Sequence, residues 1–64
     1  MEIGKLIRKA RRDLEWSQAE LAKRSGVSVP TVARIEGGIE PRLSTVLALL
    51  GVLGLRLDVK PNET

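Results

Sequence analysis

Cysteine, histidine, tyrosine and phenylalanine are all absent from the 64 residues, and Trp16 is the single aromatic side chain. Without cysteine there is no disulfide. Without histidine as well, a structural zinc would have only carboxylates for ligands, so no metal and no cofactor is expected. The same gaps exclude most catalytic arrangements: there is no imidazole or thiol, no glycine-rich phosphate loop and no inward cluster of carboxylates, and the chain is not expected to be an enzyme. One aromatic ring is too few for a platform on which single-stranded bases stack. The longest uncharged apolar run, Val46 to Leu55, covers ten residues, whereas a membrane-spanning helix needs roughly 20. No secretory signal pattern opens the sequence, and a cytoplasmic placement with no membrane partner is the expectation.

What the chain has is apolar content and positive charge. Hydrophobic residues make up 42%, enough for one small core. A domain this short buries only about 60% of its unfolded surface and gains from a partner chain. Eleven Lys and Arg stand against eight Asp and Glu, a net charge of +3, which favours an acidic partner. Residues 1–42 carry nine basic and six acidic side chains, while residues 43–64 carry two of each. The densest basic stretch is Lys5, Arg8, Lys9, Arg11 and Arg12; it reads either as a solvated helix face or as part of a nucleic-acid surface.

Periodicity predicts four helices. Ile3, Leu6, Ile7, Ala10 and Leu14 form an amphipathic stripe over residues 2–14. Ser17 and Glu20 have the spacing of a capping box, with Trp16 and Leu21 as a hydrophobic staple, and Gly26 supplies a left-handed stop. Ser28 is a second N-cap, Val27 and Val32 repeat the staple, and Pro30 falls in the first turn, where no amide bond is lost. That third helix ends at Gly37 and Gly38. A fourth starts near Leu43, with its cap open between Arg42 and Ser44, carries Leu43, Val46, Leu47 and Leu50 on one stripe, and closes at Gly54. Leu55, Leu57 and Val59 then alternate with charged residues, which predicts a strand over residues 55–60, followed by a frayed tail at 61–64.

A lone strand cannot satisfy its own backbone. The fourth helix also carries Leu49, Val52 and Leu53, so it is apolar almost all round. Both features predict a homodimer in which Leu49, Val52, Leu53, Leu55, Leu57 and Val59 form the interface and the strands pair across it. The alternative is a tail folded back on its own core.

Two short helices joined by a glycine turn are the arrangement that sets a recognition helix in the major groove of DNA. Ala22 allows close approach of the helices, and Leu21, Val27, Val32 and Ile35 form their seam. The segments IGKLIRKAR, WSQAELAKRSGVS, TVARIEGG and PRLSTVLALLGVLGL resemble the Xre/Cro-like helix-turn-helix family of bacterial and phage repressors. The resemblance implies a mainly α fold, a lambda-repressor-like helix-turn-helix domain over residues 1–54, which binds palindromic double-stranded operator DNA as a dimer. The extension LGLRLDVKP is similar to the HipB-like antitoxins, which implies an autoregulatory antitoxin with a HipA-like kinase toxin as partner. The alternatives are an interaction module in which DNA contact is secondary, and a phage-type repressor without a toxin.

The resemblance also implies roles. Gln18 matches a position whose side-chain amide meets a DNA phosphate, the lesser alternative being an exposed helix former. Ser28 is a cap that can also reach phosphate. Val29, Pro30, Ala33 and Arg34, with Thr31 beside them, form the outward face of the recognition helix. Arg34 is the candidate for guanine readout or, failing that, a phosphate ligand. Val29 and Pro30 stand where relatives carry polar donors, so direct readout is sparse and DNA shape is expected to contribute. Gly38 follows the helix where backbone amides of the family meet phosphate, and Arg42 is placed for phosphate or the minor-groove edge. Arg11 and Glu36 match an internal ion pair.

Overall fold

A computed structural model describes residues 2–57. Four helices follow one another: α1 (Ile3–Asp13), α2 (Gln18–Ser25), α3 (Val29–Glu36) and α4 (Leu43–Val52). Helix α3 packs on both α1 and α2, and α4 packs on α2. One apolar cluster joins them, made of Ile7, Leu21, Ala22, Val32, Ile35, Val46, Leu49, Leu50 and Leu53.

Both serine N-caps form as the sequence predicts, but of the capping box only the Ser17 half is made. Ser17 Oγ accepts the Glu20 amide at 3.0 Å and Ser28 Oγ accepts the Thr31 amide at 3.3 Å. Trp16 and Val27, each just ahead of a cap, pack against the core that contains Leu21 and Val32. The Glu20 carboxylate takes a hydrogen bond from Arg24 Nε at 3.0 Å.

Each helix is closed by one residue with positive φ: Glu15, Gly26, Gly38 and Gly54. After α1, α3 and α4 the closure is the same paired hydrogen bond. Trp16 and Glu15 amides donate to the Arg11 and Arg12 carbonyls, Ile39 and Gly38 to Arg34 and Ile35, and Leu55 and Gly54 to Leu50 and Gly51. Glu15, at φ 59°, is the only one of the four with a side chain to strain the left-handed backbone.

Two predicted stripes are rotated. On α1 the inward face is Ile3, Gly4, Ile7, Ala10 and Arg11, while Leu6 and Leu14 are exposed. Gly4 turns inward because α1 crosses the end of α3 there: a Cβ on Gly4 would overlap the Ile35 carbonyl oxygen. On α4 the buried set is Val46, Leu49, Leu50 and Leu53, whereas Leu43 and Leu47 are 63% and 51% exposed. Ser44 lies within the helix, and the N-cap is Arg42, without a side-chain cap.

These positions correct the predicted dimer surface. Leu49 and Leu53 belong to the chain's own core, since one face of an apolar helix is enough to cover them. The Leu55 amide closes α4 and its side chain packs on the core. Among the described residues no strand forms, and Val59 with the rest of the predicted strand beyond Leu57 lies outside them. Val52 is half-buried and Leu57 exposed.

Candidate nucleic-acid interface

The turn at Gly26 sets α3 across α2 with Val32 and Ile35 directed into the core. The opposite face of α3 is then bound to face solvent: Val29, Pro30, Ala33 and Arg34 are exposed and Thr31 is half-buried. Arg34 pairs with no carboxylate among the described residues. Its guanidinium is therefore free to make two parallel bonds to a guanine edge or to a phosphate.

The frame behind this face is polar and nearly closed to water. Arg11 Nε and Nη2 donate to the two Glu36 carboxylate oxygens at 2.7 and 2.8 Å, and Nη1 donates to the Trp16 carbonyl at 2.7 Å. The Arg11 and Glu36 side chains are 11% and 4% exposed. One arginine thereby joins α1, the α1–α2 loop and the end of α3. Burial drives the Glu36 carboxyl upward, but its hydrogen bonds from Arg11 and Gln18, and the nearby Arg11 and Arg8 charges, outweigh this and hold it below its ordinary value. The hydrogen bond to Glu36 holds Arg11 above its own, against the opposing effect of burial.

Gln18, the first residue of α2, donates from Nε2 to Glu36 Oε1 at 3.3 Å. The side chain assigned to phosphate is thus oriented by the internal pair, with its second amide hydrogen uncommitted. Beside it a cleft of about 270 Å³ is lined by Arg8, Arg11, Gln18, Ala33, Glu36 and Gly37. Arg8 is the member that sequence reasoning left in the basic run. Its spacing of three residues from Arg11, on the same helix, is the signal that would have found it.

Gly38 requires a correction. Its amide donates to the Ile35 carbonyl at 3.1 Å, and the amides of Gly37 and Ile39 are bonded to Ala33 and Arg34 carbonyls. None is free for a phosphate, because all three complete the end of α3. What Gly38 contributes is the φ of 106° that closes the helix. The Ser28 hydroxyl both caps α3 and bonds the Thr31 hydroxyl at 2.7 Å. Arg42 is exposed at the start of α4.

Charge is also sorted. Lys5, Lys9, Arg11 and Arg24 are paired with Glu2, Asp13, Glu36 and Glu20, and Arg24 also lies 4.4 Å from the centre of the Trp16 ring. Outside these pairs the described residues leave Arg8, Arg12, Lys23, Arg34, Arg42 and Arg56 against Glu15 and Glu40. The uncompensated charge is mostly cationic; Arg34 lies on the exposed face of α3, and Arg8 lines the cleft that reaches Ala33.

The helix-turn-helix family profile matches residues 7–60, a span that holds α2, its glycine turn and α3 entire. The chain belongs to the Xre/Cro-like helix-turn-helix family. An uncharacterized HTH-type transcriptional regulator of Haemophilus influenzae is similar to it, 45% identical over 53 residues, which are 81% of this chain and 54% of the relative. The chain thus spans about half the length of that regulator. In helix-turn-helix proteins the second helix of the motif enters the major groove and the first crosses the backbone, and α3 and α2 stand in those places in the motif. Among the described residues no helix is long and apolar enough to cross a membrane.

Proposed function

We propose that the chain is a sequence-specific DNA-binding repressor that acts as a homodimer on a palindromic operator. The observation that carries this reading is the exposed outer face of α3, with Arg34 uncommitted and the inner face anchored in the core. Gln18 and Ser28 lie at the starts of α2 and α3, where helix amides and the dipole favour phosphate. Arg8, Arg42 and the other cations unpaired among the described residues supply attraction to the backbone. A duplex-binding titration tests it: affinity should fall with salt with a log–log slope near −0.9 per phosphate neutralised. Equal affinity for all duplexes would refute sequence-specific repression.

The homodimer is supported by what α4 and its neighbours leave uncovered. Ile39, Leu43 and Leu57 are exposed and line one cleft, Leu47 is exposed one turn beyond Leu43 on α4, and exposed apolar surface favours association. Two recognition helices would then meet half-sites about one helical turn apart. Light scattering should give twice the chain mass, and Leu43→Ser with Leu47→Ser should return it to one. An unchanged mass would overturn this surface as the interface.

A HipB-like antitoxin is the second reading, and its support is the sequence LGLRLDVKP with the same exposed apolar residues as a surface for a HipA-like kinase. A stable complex with such a kinase is the expected result; a repressor without a toxin would form none.

A further inference from the structure

The outward face of α3 is unusual in offering almost nothing but carbon at its leading end. Val29, 42% exposed, and Pro30 come first, and Ala33 follows one turn on. Few polar groups stand beside this edge, and the Ser28–Thr31 pair leaves over one hydroxyl hydrogen, at the helix start where phosphate is favoured. Pro30 has no N–H, the Thr31 amide donates to Ser28 Oγ, and the Ser28 and Thr31 hydroxyls bond each other. A recognition helix turns its N-terminal residues toward the base edges. An apolar edge in that position has one feature to grip in the major groove, the C5-methyl group of a pyrimidine.

Carbon cannot distinguish the O4 acceptor of thymine from the N4 donor of cytosine. We infer that the Val29–Pro30 edge of α3 reads pyrimidine C5-methyl groups, accepting thymine and 5-methylcytosine alike and discriminating against uracil and unmodified cytosine. This rests on the reading of α3 as the helix that enters the groove. Methylation of a cytosine at that step would then create a binding site instead of blocking one.

The experiment uses the full chain to enrich duplexes from a random pool, then replaces each pyrimidine of the enriched half-site in turn by thymine, uracil, cytosine and 5-methylcytosine, each with its complementary purine. Anisotropy titrations at fixed salt give the affinities. At one or two steps thymine and 5-methylcytosine should bind within twofold of each other, with uracil and cytosine weaker by about fourfold for each methyl lost. Val29→Ala should narrow that gap and leave the other steps unchanged. If uracil equals thymine at every step, or if thymine and uracil group together against both cytosines, methyl reading is refuted while DNA binding stands. A pool that yields no enriched sequence, from a chain that is folded by circular dichroism, removes the DNA-binding reading and this inference with it.

Discussion

Replacing Arg11 by alanine would strip the Glu36 carboxylate, 4% exposed in the intact pair, of its cation, with only the 3.3 Å bond from Gln18 to hold it. Two charge-assisted bonds to Glu36 and one to the Trp16 carbonyl disappear together. Removing one partner of a buried pair costs about 3–5 kcal/mol, because the other charge loses its compensation. At about 0.05–0.15 kcal/mol per residue a chain of this length has roughly 3–10 kcal/mol in total, so Arg11→Ala should unfold it or bring it close. Urea melts followed by helical circular dichroism measure this. A midpoint equal to that of the wild type would refute the account. A double replacement, Arg11→Met with Glu36→Leu, should recover most of the loss, since apolar residues of similar volume often substitute for a buried pair without penalty.

The same pair fixes the sign of a pH effect. The folded-state carboxyl of Glu36 lies below its ordinary value of 4.5. Its contribution is therefore complete above that value and is lost as pH falls through the folded-state one. In Arg11→Ala the dominant remaining influence is burial, which raises the carboxyl. Should that variant retain enough structure to melt, acidification should stabilise it at this site where it destabilises the wild type. Parallel pH profiles for the two proteins would contradict the assignment.

Gly4→Ala should destabilise by about 1–2 kcal/mol despite the better helix propensity of alanine, because a methyl meets the Ile35 carbonyl; thermal melts report it, and a gain in stability would show that α1 does not approach so closely. Glu15→Gly should stabilise by about 0.5–1 kcal/mol by relieving the positive φ, also read from melts. Leu49→Ala should cost about 2–5 kcal/mol as a buried truncation, whereas Leu47→Ala, half exposed, should change chain stability little; urea midpoints at low protein concentration separate the two. Arg34→Ala should weaken duplex binding by about 1–3 kcal/mol and relax choice at one base pair per half-site, while an equal loss on all sequences would make Arg34 a phosphate ligand.

Helix starts and stops were legible because they are local: Ser17, Ser28, Gly26, Gly38 and Gly54 act through their own backbone and the next few residues. The left-handed stop at Glu15 carries no such signal, since glutamate has no preference for that conformation. Which face of a helix turns inward proved harder. Apolar periodicity chose Leu6 and Leu14 on α1, yet Gly4 and Arg11 take part in the contact with α3, the first through lack of a side chain and the second through Glu36. On α4, where nearly every residue is apolar, periodicity has no contrast to work with, and packing on α2 selected Leu49 over Leu47. The outer face of α3 was legible because Val32 and Ile35 leave only one way to orient the helix. That the amides after α3 are occupied was not, because a glycine pair signals a stop without stating which carbonyls it will bond.

A chain without cysteine still has a cross-link, and it is Arg11 bridging a separation of 25 residues to Glu36. A disulfide at that span would shorten the reach of the unfolded chain; a guanidinium and carboxylate restrain only the folded one. This tie is therefore indifferent to thiols, can open in acid, and reforms without an oxidant. The cell's redox state has no hold on the orientation of α3, and acid has one only below the ordinary carboxylate range.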